Sequence, residues 1–199
     1  KWNCFVATVG VFNRPFSYEL NYSSSLRESP ERGRMSQILM NTERDMGAML
    51  SFEPQDKKNR FYPLKIDAGI FNGQGLTGSG EFDSYKDFIG RISLRRIKIL
   101  NDLYFSGGLS YLNGGFANGS EVFFRTFAGN SGAYVFIPDT SASNVNSKSP
   151  RIYHGADIQL AWDNSLGRSE LRAEFISGTQ SATYGTSVTP GVLPANSLS

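Results

Sequence analysis

The sequence predicts an all-β fold: an antiparallel, up-and-down transmembrane β-barrel. Three observations carry this. Apolar and polar residues alternate through seven runs of the chain, the period-two pattern of strands with one apolar and one polar face. Each run exceeds the ~5–6 residues usual in globular sheets and approaches the ~9–11 of a tilted membrane-crossing strand. The connections alternate as well, one short and the next long. In a meander this collects the short turns at one end and the long loops at the other, as in outer-membrane barrels.

Taken in order, the first run (2–13) sets Phe5, Ala7, Val9 and Val11 on one face. The second (44–53) sets Met46, Ala48, Leu50 and Phe52 against Asp45, Ser51 and Glu53. In the third (60–72), Leu64, Ile66, Ala68 and Ile70 oppose Lys65, Asp67 and Gly69. In the fourth (86–98), Phe88, Gly90, Ile92 and Leu94 oppose Arg91, Ser93 and Arg95. The fifth (103–113) sets Leu103, Phe105, Leu109 and Tyr111 against Ser106, Gly108 and Ser110. The last two form a hairpin over 151–178 that turns at 163–167. Ile152, Ala156, Ile158, Leu160 and Trp162 oppose Asp157, Gln159 and Asp163; then Leu171, Ala173 and Phe175 oppose Glu170, Arg172 and Glu174. In a bilayer the apolar faces meet lipid and the charged faces meet water. Trp2, Tyr62, Tyr111 and Trp162 fall near strand ends, where interfacial aromatics belong.

The connections justify the meander. Segments 14–43, 73–85 and 114–150 are long; 54–59, the turn near 100–102 and 163–167 are short. Seven strands do not close a bacterial barrel of even count, and open edges in lipid are prohibitively costly. The expectation is therefore that residues 1–199 are part of a single larger barrel domain, with 114–150 as a long external loop. The opening Lys1-Trp2 already reads as strand, as though the chain began inside a domain.

The totals agree with this class and exclude others. A formal net charge of +2 over 199 residues argues against nucleic acid as a partner. No apolar run of about 18 residues suggests a membrane helix. A single cysteine, Cys4, excludes an intrachain disulfide and a cysteine zinc cluster. Gly 21 and an aromatic content of 13% suit strands joined by turns.

The segment 14–43 is expected to be a constriction loop. Pro15 ends the first strand. Ser29-Pro30-Glu31 resembles a helix start, with Ser29 as N-cap and Pro30 at the first helical position. Met35, Ile38 and Leu39 follow at helical spacing. A loop with its own apolar stripe must pack on something, and the barrel wall is nearest. Arg27, Arg32 and Arg34 interleave with Glu28 and Glu31. They are either ion-paired on a solvated surface or guanidinium groups held in a pore, where they attract phosphate or carboxylate.

The stretch VGVFNRPFSYELNYSSSLRESPERGRM, followed by ERDMGAML, resembles the phosphate-selective porin O and P family in its Bacteroidetes-type form. The Phe-Asn-Arg-Pro-Phe turn, the Ser-Ser-Ser-x-Arg-Glu-Ser-Pro-Glu-Arg loop and Glu43, Arg44, Asp45 and Gly47 carry the match. KIDAGIFNGQG and RISLR are similar in kind. The resemblance covers most of this chain and the central part of such a porin. It implies a barrel of about sixteen strands, often trimeric, with a basic constriction loop. It implies a bacterial outer-membrane location and contact with membrane lipids and lipopolysaccharide.

Carried onto this sequence by strand parity, the lumen bases are Lys65, Arg91, Arg95, Arg168 and Arg172. Asp45, Asp67, Asp157, Glu170 and Glu174 share that face. An arginine ladder for one anion is thereby diluted, so passive diffusion of small polar or anionic solutes is expected ahead of phosphate specificity. No enzyme is expected. His154 is the only histidine, and its parity places it with the apolar face. GLTGSGEF (75–82) lacks the Gly-Lys-Ser/Thr ending of a phosphate loop, and no cofactor or metal spacing stands out. Two rivals follow: a non-conducting structural or docking barrel within an outer-membrane assembly, and a soluble β-sandwich binding module.

Overall fold

The computed structural model describes residues 4–40, 42–76, 84–118, 121–128 and 134–180. Its main body is one antiparallel seven-stranded sheet. In the chain's own numbering the strands are β1 (Phe5–Asn13), β2 (Arg44–Phe52), β3 (Leu64–Phe71), β4 (Asp87–Leu100), β5 (Leu103–Ala117), β6 (Val122–Ala128), β7 (Tyr134–Thr140), β8 (Lys148–Asn164) and β9 (Gly167–Gln180). The sheet runs β1-β2-β3-β4-β5-β8-β9, while β6 and β7 pair separately. The expected all-β, up-and-down order is thus present. The sheet is open, with β1 and β9 at its two edges.

The seven expected strands are the seven of this sheet, with shifted ends. The third starts at Leu64 rather than 60, because residues 60–63 remain in the turn. Asn59 holds that turn: its side chain accepts from the Phe61 amide at 2.9 Å and its carbonyl accepts from Tyr62 at 2.9 Å. Pro63 lacks an amide and keeps its predecessor out of a regular turn of helix. The segment 114–150 is not all loop. It extends β5 and β8 and carries the hairpin β6–β7, a pair of strands that the turn-rich surroundings hide. Residues 1–3, with Trp2, and most of the glycine-rich 75–82 stretch lie outside the described residues.

Burial is inverted relative to a soluble sheet. Val9, Met46, Leu50, Ile92, Leu109, Leu171 and Phe175 are all about half exposed or more, Val9 reaching 82%. Their polar neighbours on the other face, Asp45, Ser51, Asp67, Ser110, Asp157 and Gln159, are buried. Register makes the rows continuous: Phe52, Ile66, Ile92, Leu109, Ala156 and Phe175 face one another from strand to strand. The ends differ as expected. Asn101–Asp102 and Ser165–Leu166 make tight turns at one end, with Asp102 at φ 60. Segments 14–43, 72–86 and 118–147 leave from the other.

Among the described residues, the apolar core lies where segment 14–43 meets the polar face near the long-loop end. Phe16, Leu20 and Met40 from the segment pack with Phe71, Ile89, Leu112 and Tyr153 from the sheet. Phe16 rests over Gly155, where an added Cβ would stand 3.4 Å from its ring. Three carbonyls, of Arg14, Phe16 and Ser17, accept from the Asn21 side chain at 3.1–3.2 Å. That closes the tight bend in which Ser17 takes φ 64. The segment's helix, α1, spans Arg34–Leu39. It begins after Gly33 rather than at Ser29-Pro30. The glycine amide is bound at 2.6 Å by the Glu19 carboxylate instead of continuing the helix.

Candidate functional site

The polar face carries a connected network. At its centre Arg91 on β4 grips Asp157 on β8, with Nη1 2.7 Å from Oδ2 and Nη2 3.0 Å from Oδ1. Its Nη1 also donates to Ser110 on the intervening β5 at 2.7 Å. Gln159 donates to Asp157 at 2.8 Å and accepts from Ser106 at 2.9 Å. Towards β2, Ser51 donates to Asp67 at 2.6 Å, and Lys65 lies 3.4 Å from Asp67 and 3.8 Å from Glu53. Arg95 binds Glu53 at 2.7 Å and the Pro54 carbonyl at 3.1 Å, and stacks on Tyr62 at 4.7 Å. Apart from Gln159–Asp157 and Lys65–Asp67, which stay within β8 and β3, these are transverse links from one strand or turn to another.

Segment 14–43 covers this face. The Ser17 amide donates to Ser110 Oγ at 3.1 Å, and the Glu19 amide to Glu174 Oε2 at 3.2 Å. Further out, Arg172 of β9 holds the segment. Its guanidinium donates to Glu28 at 2.8 Å, to the Tyr22 hydroxyl at 2.9 Å and to Glu170 at 2.7 Å. It also lies over the Tyr22 ring at 4.4 Å, and Tyr22 stacks on Tyr18 with centroids 5.2 Å apart. The hydrogen bond from Arg172 holds the Glu28 carboxyl below its ordinary value. Burial raises the Tyr18 hydroxyl against the pull of Arg172. Between the segment and β9 lies a cavity of about 210 Å³.

Of the expected basic residues, Arg27 and Arg32 share Glu43, at 3.3 and 3.5 Å. Arg32 also donates to the Met40 carbonyl at 3.1 Å. Arg34 is exposed, with no carboxylate within ion-pair distance among the described residues. Arg168 pairs with Asp163 at 2.6 Å beside the β8–β9 turn, away from the segment. Lys65, Arg91, Arg95 and Arg172 share the polar face, and Arg172 is hydrogen-bonded to segment 14–43. His154 is exposed and lies against Tyr111, ring to ring at 5.1 Å, on the apolar side.

Sequence reasoning missed a second cluster at the segment's root. Arg151 on β8 donates to Asp87 on β4 and to the Gly73 carbonyl, the latter at 2.8 Å. Asp45 accepts from the amides of Met46 at 2.8 Å and Gly73 at 2.7 Å. Arg14 donates to the Thr42 carbonyl. Burial and the nearby charge of Arg151 push Arg14 down to about 10. The signal was present: Asp87 and Arg151 lie within the fourth run and at the start of the hairpin, and the alternation puts both on the polar face.

Among the described residues no group of His, Cys, Asp and Glu could hold a metal ion. No family model, no curated protein and no solved structure matches the sequence.

Proposed function

We propose that this chain is part of the wall of a bacterial outer-membrane β-barrel, and that the barrel passes small polar solutes by passive diffusion. One observation carries the reading: burial is inverted across a seven-stranded sheet, with apolar rows exposed and charged rows buried. A soluble β-sandwich would bury the apolar rows; lipid is the surrounding that makes their exposure favourable. Strand lengths, the segregation of short turns from long loops, and the resemblance to the phosphate-selective porin O and P family support it. Further strands outside this sequence close the barrel at β1 and β9, since lipid does not tolerate unpaired edges. Segment 14–43 acts as the constriction, lying along the lumen side.

The ion pairs favour a general pore over a phosphate filter. Arg27, Arg32, Lys65, Arg91, Arg95, Arg168 and Arg172 each lie within 4.0 Å of a carboxylate. A guanidinium already bonded to a carboxylate has fewer donors left for a passing anion. The reading is tested by reconstituting the full-length protein in a planar bilayer and measuring conductance and reversal potential in a KCl gradient. Open steps with weak selectivity are expected. A strongly anion-selective potential with block by phosphate would restore the phosphate filter. The way segment 14–43 seats on the polar face supports one second reading, a plugged barrel that serves as a structural or docking component. Folded, inserted protein that never conducts would decide for it.

A further inference from the structure

We propose that residues 23–31 form a strap clasped by charge, a part of segment 14–43 that opens as ionic strength rises while the rest of the segment stays seated. Its consequence rests on the pore reading, which it deepens by giving the constriction a regulation. The segment divides sharply by burial. Its two ends are anchored: Phe16 and Leu20 on one side, Ser36 and Met40 on the other, are at most 2% exposed. Between them every residue from 23 to 31 is exposed except Arg27, which is half-buried, and Leu26 reaches 64%. The apolar contact that seats the ends, through Phe16, Leu20 and Met40, therefore stops short of the strap. At its far end Arg32 is the pivot. Its carbonyl accepts from Gln37 on α1 at 2.8 Å, and its side chain donates to the Met40 carbonyl at 3.1 Å.

Charge takes over where apolar burial ends. Arg172 on β9 reaches the strap at two points. It donates to Glu28 at 2.8 Å and to the Tyr22 hydroxyl at 2.9 Å, and that hydroxyl donates in turn to the Leu26 carbonyl at 2.9 Å. From the other side Arg27 is bonded to the Glu43 carboxylate at 3.3 Å. Both carboxylates meet solvent, the Glu28 side chain being 72% exposed and that of Glu43 35%. Ion pairs with a wet member are weak singly and are screened by salt, as the Debye length falls from ~10 Å at 0.1 M to ~3 Å at 1 M. Burial of Phe16, Leu20 and Met40 is not a Coulombic term and is not screened. One segment thus carries two fastenings of different physics, and salt addresses one of them. In the pore reading a released strap leaves the constriction wider.

The test places a nitroxide on the full-length protein, folded in detergent in a Cys4→Ser background, at Ser24→Cys in the strap or at Arg34→Cys on α1. Spectra are compared in about 0.1 M and about 1 M KCl, the range over which screening closes in. The ratio of mobile to immobile components at position 24 is expected to rise about fivefold, the factor lost with one exposed ion pair at the strong end of its range. The label at position 34 is expected to keep its spectrum. Arg172→Gln and, separately, Glu28→Gln, the latter at an exposed position outside the core, are expected to raise the low-salt ratio at position 24 by a similar factor. A label at position 24 that ignores salt, two labels released together, or a strap as immobile in both variants as in the parent would each overturn the strap. Single-channel conductance separates this from the pore reading. A conducting pore whose strap ignores salt keeps the pore and loses the strap. A silent barrel whose strap opens keeps the strap and loses the pore.

Discussion

Arg91 and Asp157 show what one pair contributes. Their side chains are 10% and 1% exposed, and Arg91 also satisfies Ser110. Removing the arginine alone strands a buried carboxylate, so Arg91→Ala is expected to destabilise the folded protein by ~3–5 kcal/mol in urea titrations monitored in detergent. The double replacement Arg91→Met with Asp157→Leu is expected to recover most of that, because no charge is then left unpaired. Equal losses in the single and double variants would mean that the pair does not act as a unit. Glu28 differs, being exposed. Arg172 lowers its carboxyl, so its contribution is present above the ordinary carboxyl value and is lost as pH falls through the lowered one. A nitroxide on Ser29→Cys in a Cys4→Ser background is therefore expected to stay immobile through the ordinary glutamate range, about pH 4.3, and to gain mobility only below it. Mobility rising at pH 6 would show that Arg172 does not hold the segment.

Segment 14–43 is an element without much regular structure, and its seat is made by side chains from distant strands. Phe16 is fully buried in that seat. Phe16→Ala is expected to cost about 3–5 kcal/mol locally and to free the segment from the wall. Cleavage of folded protein by trypsin at Arg27 or Arg32 should then rise by more than tenfold. Unchanged cleavage would place the holding force elsewhere, at Arg172. The seat was legible in the sequence as a break in alternation. Val11-Phe12, Ile70-Phe71, Phe88-Ile89, Tyr111-Leu112, Ile152-Tyr153 and Phe175-Ile176 are apolar doublets, and the second member of each belongs to or packs on the core. One member faces out in the general pattern; the other marks where something dry covers the inner face. The helix start was misread because Ser29-Pro30 carries a local capping signal, while the true start depends on Glu19, distant in sequence. The hairpin β6–β7 was missed because its runs are short and sit among turn residues.

The strands themselves were legible because period-two alternation survives whichever face is wet; which face is exposed follows only from three-dimensional burial. That assignment has a direct test. Leu109 is 64% exposed in the middle of the outer rows, and Leu166 is 98% exposed in a tight turn. Leu109→Arg is expected to lower folding stability in liposomes by ~2–4 kcal/mol, and Leu166→Arg by ~0–1 kcal/mol. Equal, small effects would put the outer face in water and favour a soluble sheet.

The bond between Arg91 and Asp157 also sets a timetable. Sixty-six positions separate the two residues, and β5 together with the β6–β7 hairpin must be laid down between them. If the sheet spans a bilayer as proposed, β4 lacks the Asp157 partner of Arg91 until β8 docks, and an unpaired guanidinium at bilayer depth costs about 2.5–3.5 kcal/mol. Insertion one strand at a time would meet that barrier at β4. A block of β4, β5 and β8, zipped together at the membrane surface with its charges already matched, crosses without it. In the proposed barrel, the wiring of the polar face would thus select a biogenesis route in which hairpins assemble first and enter the bilayer together.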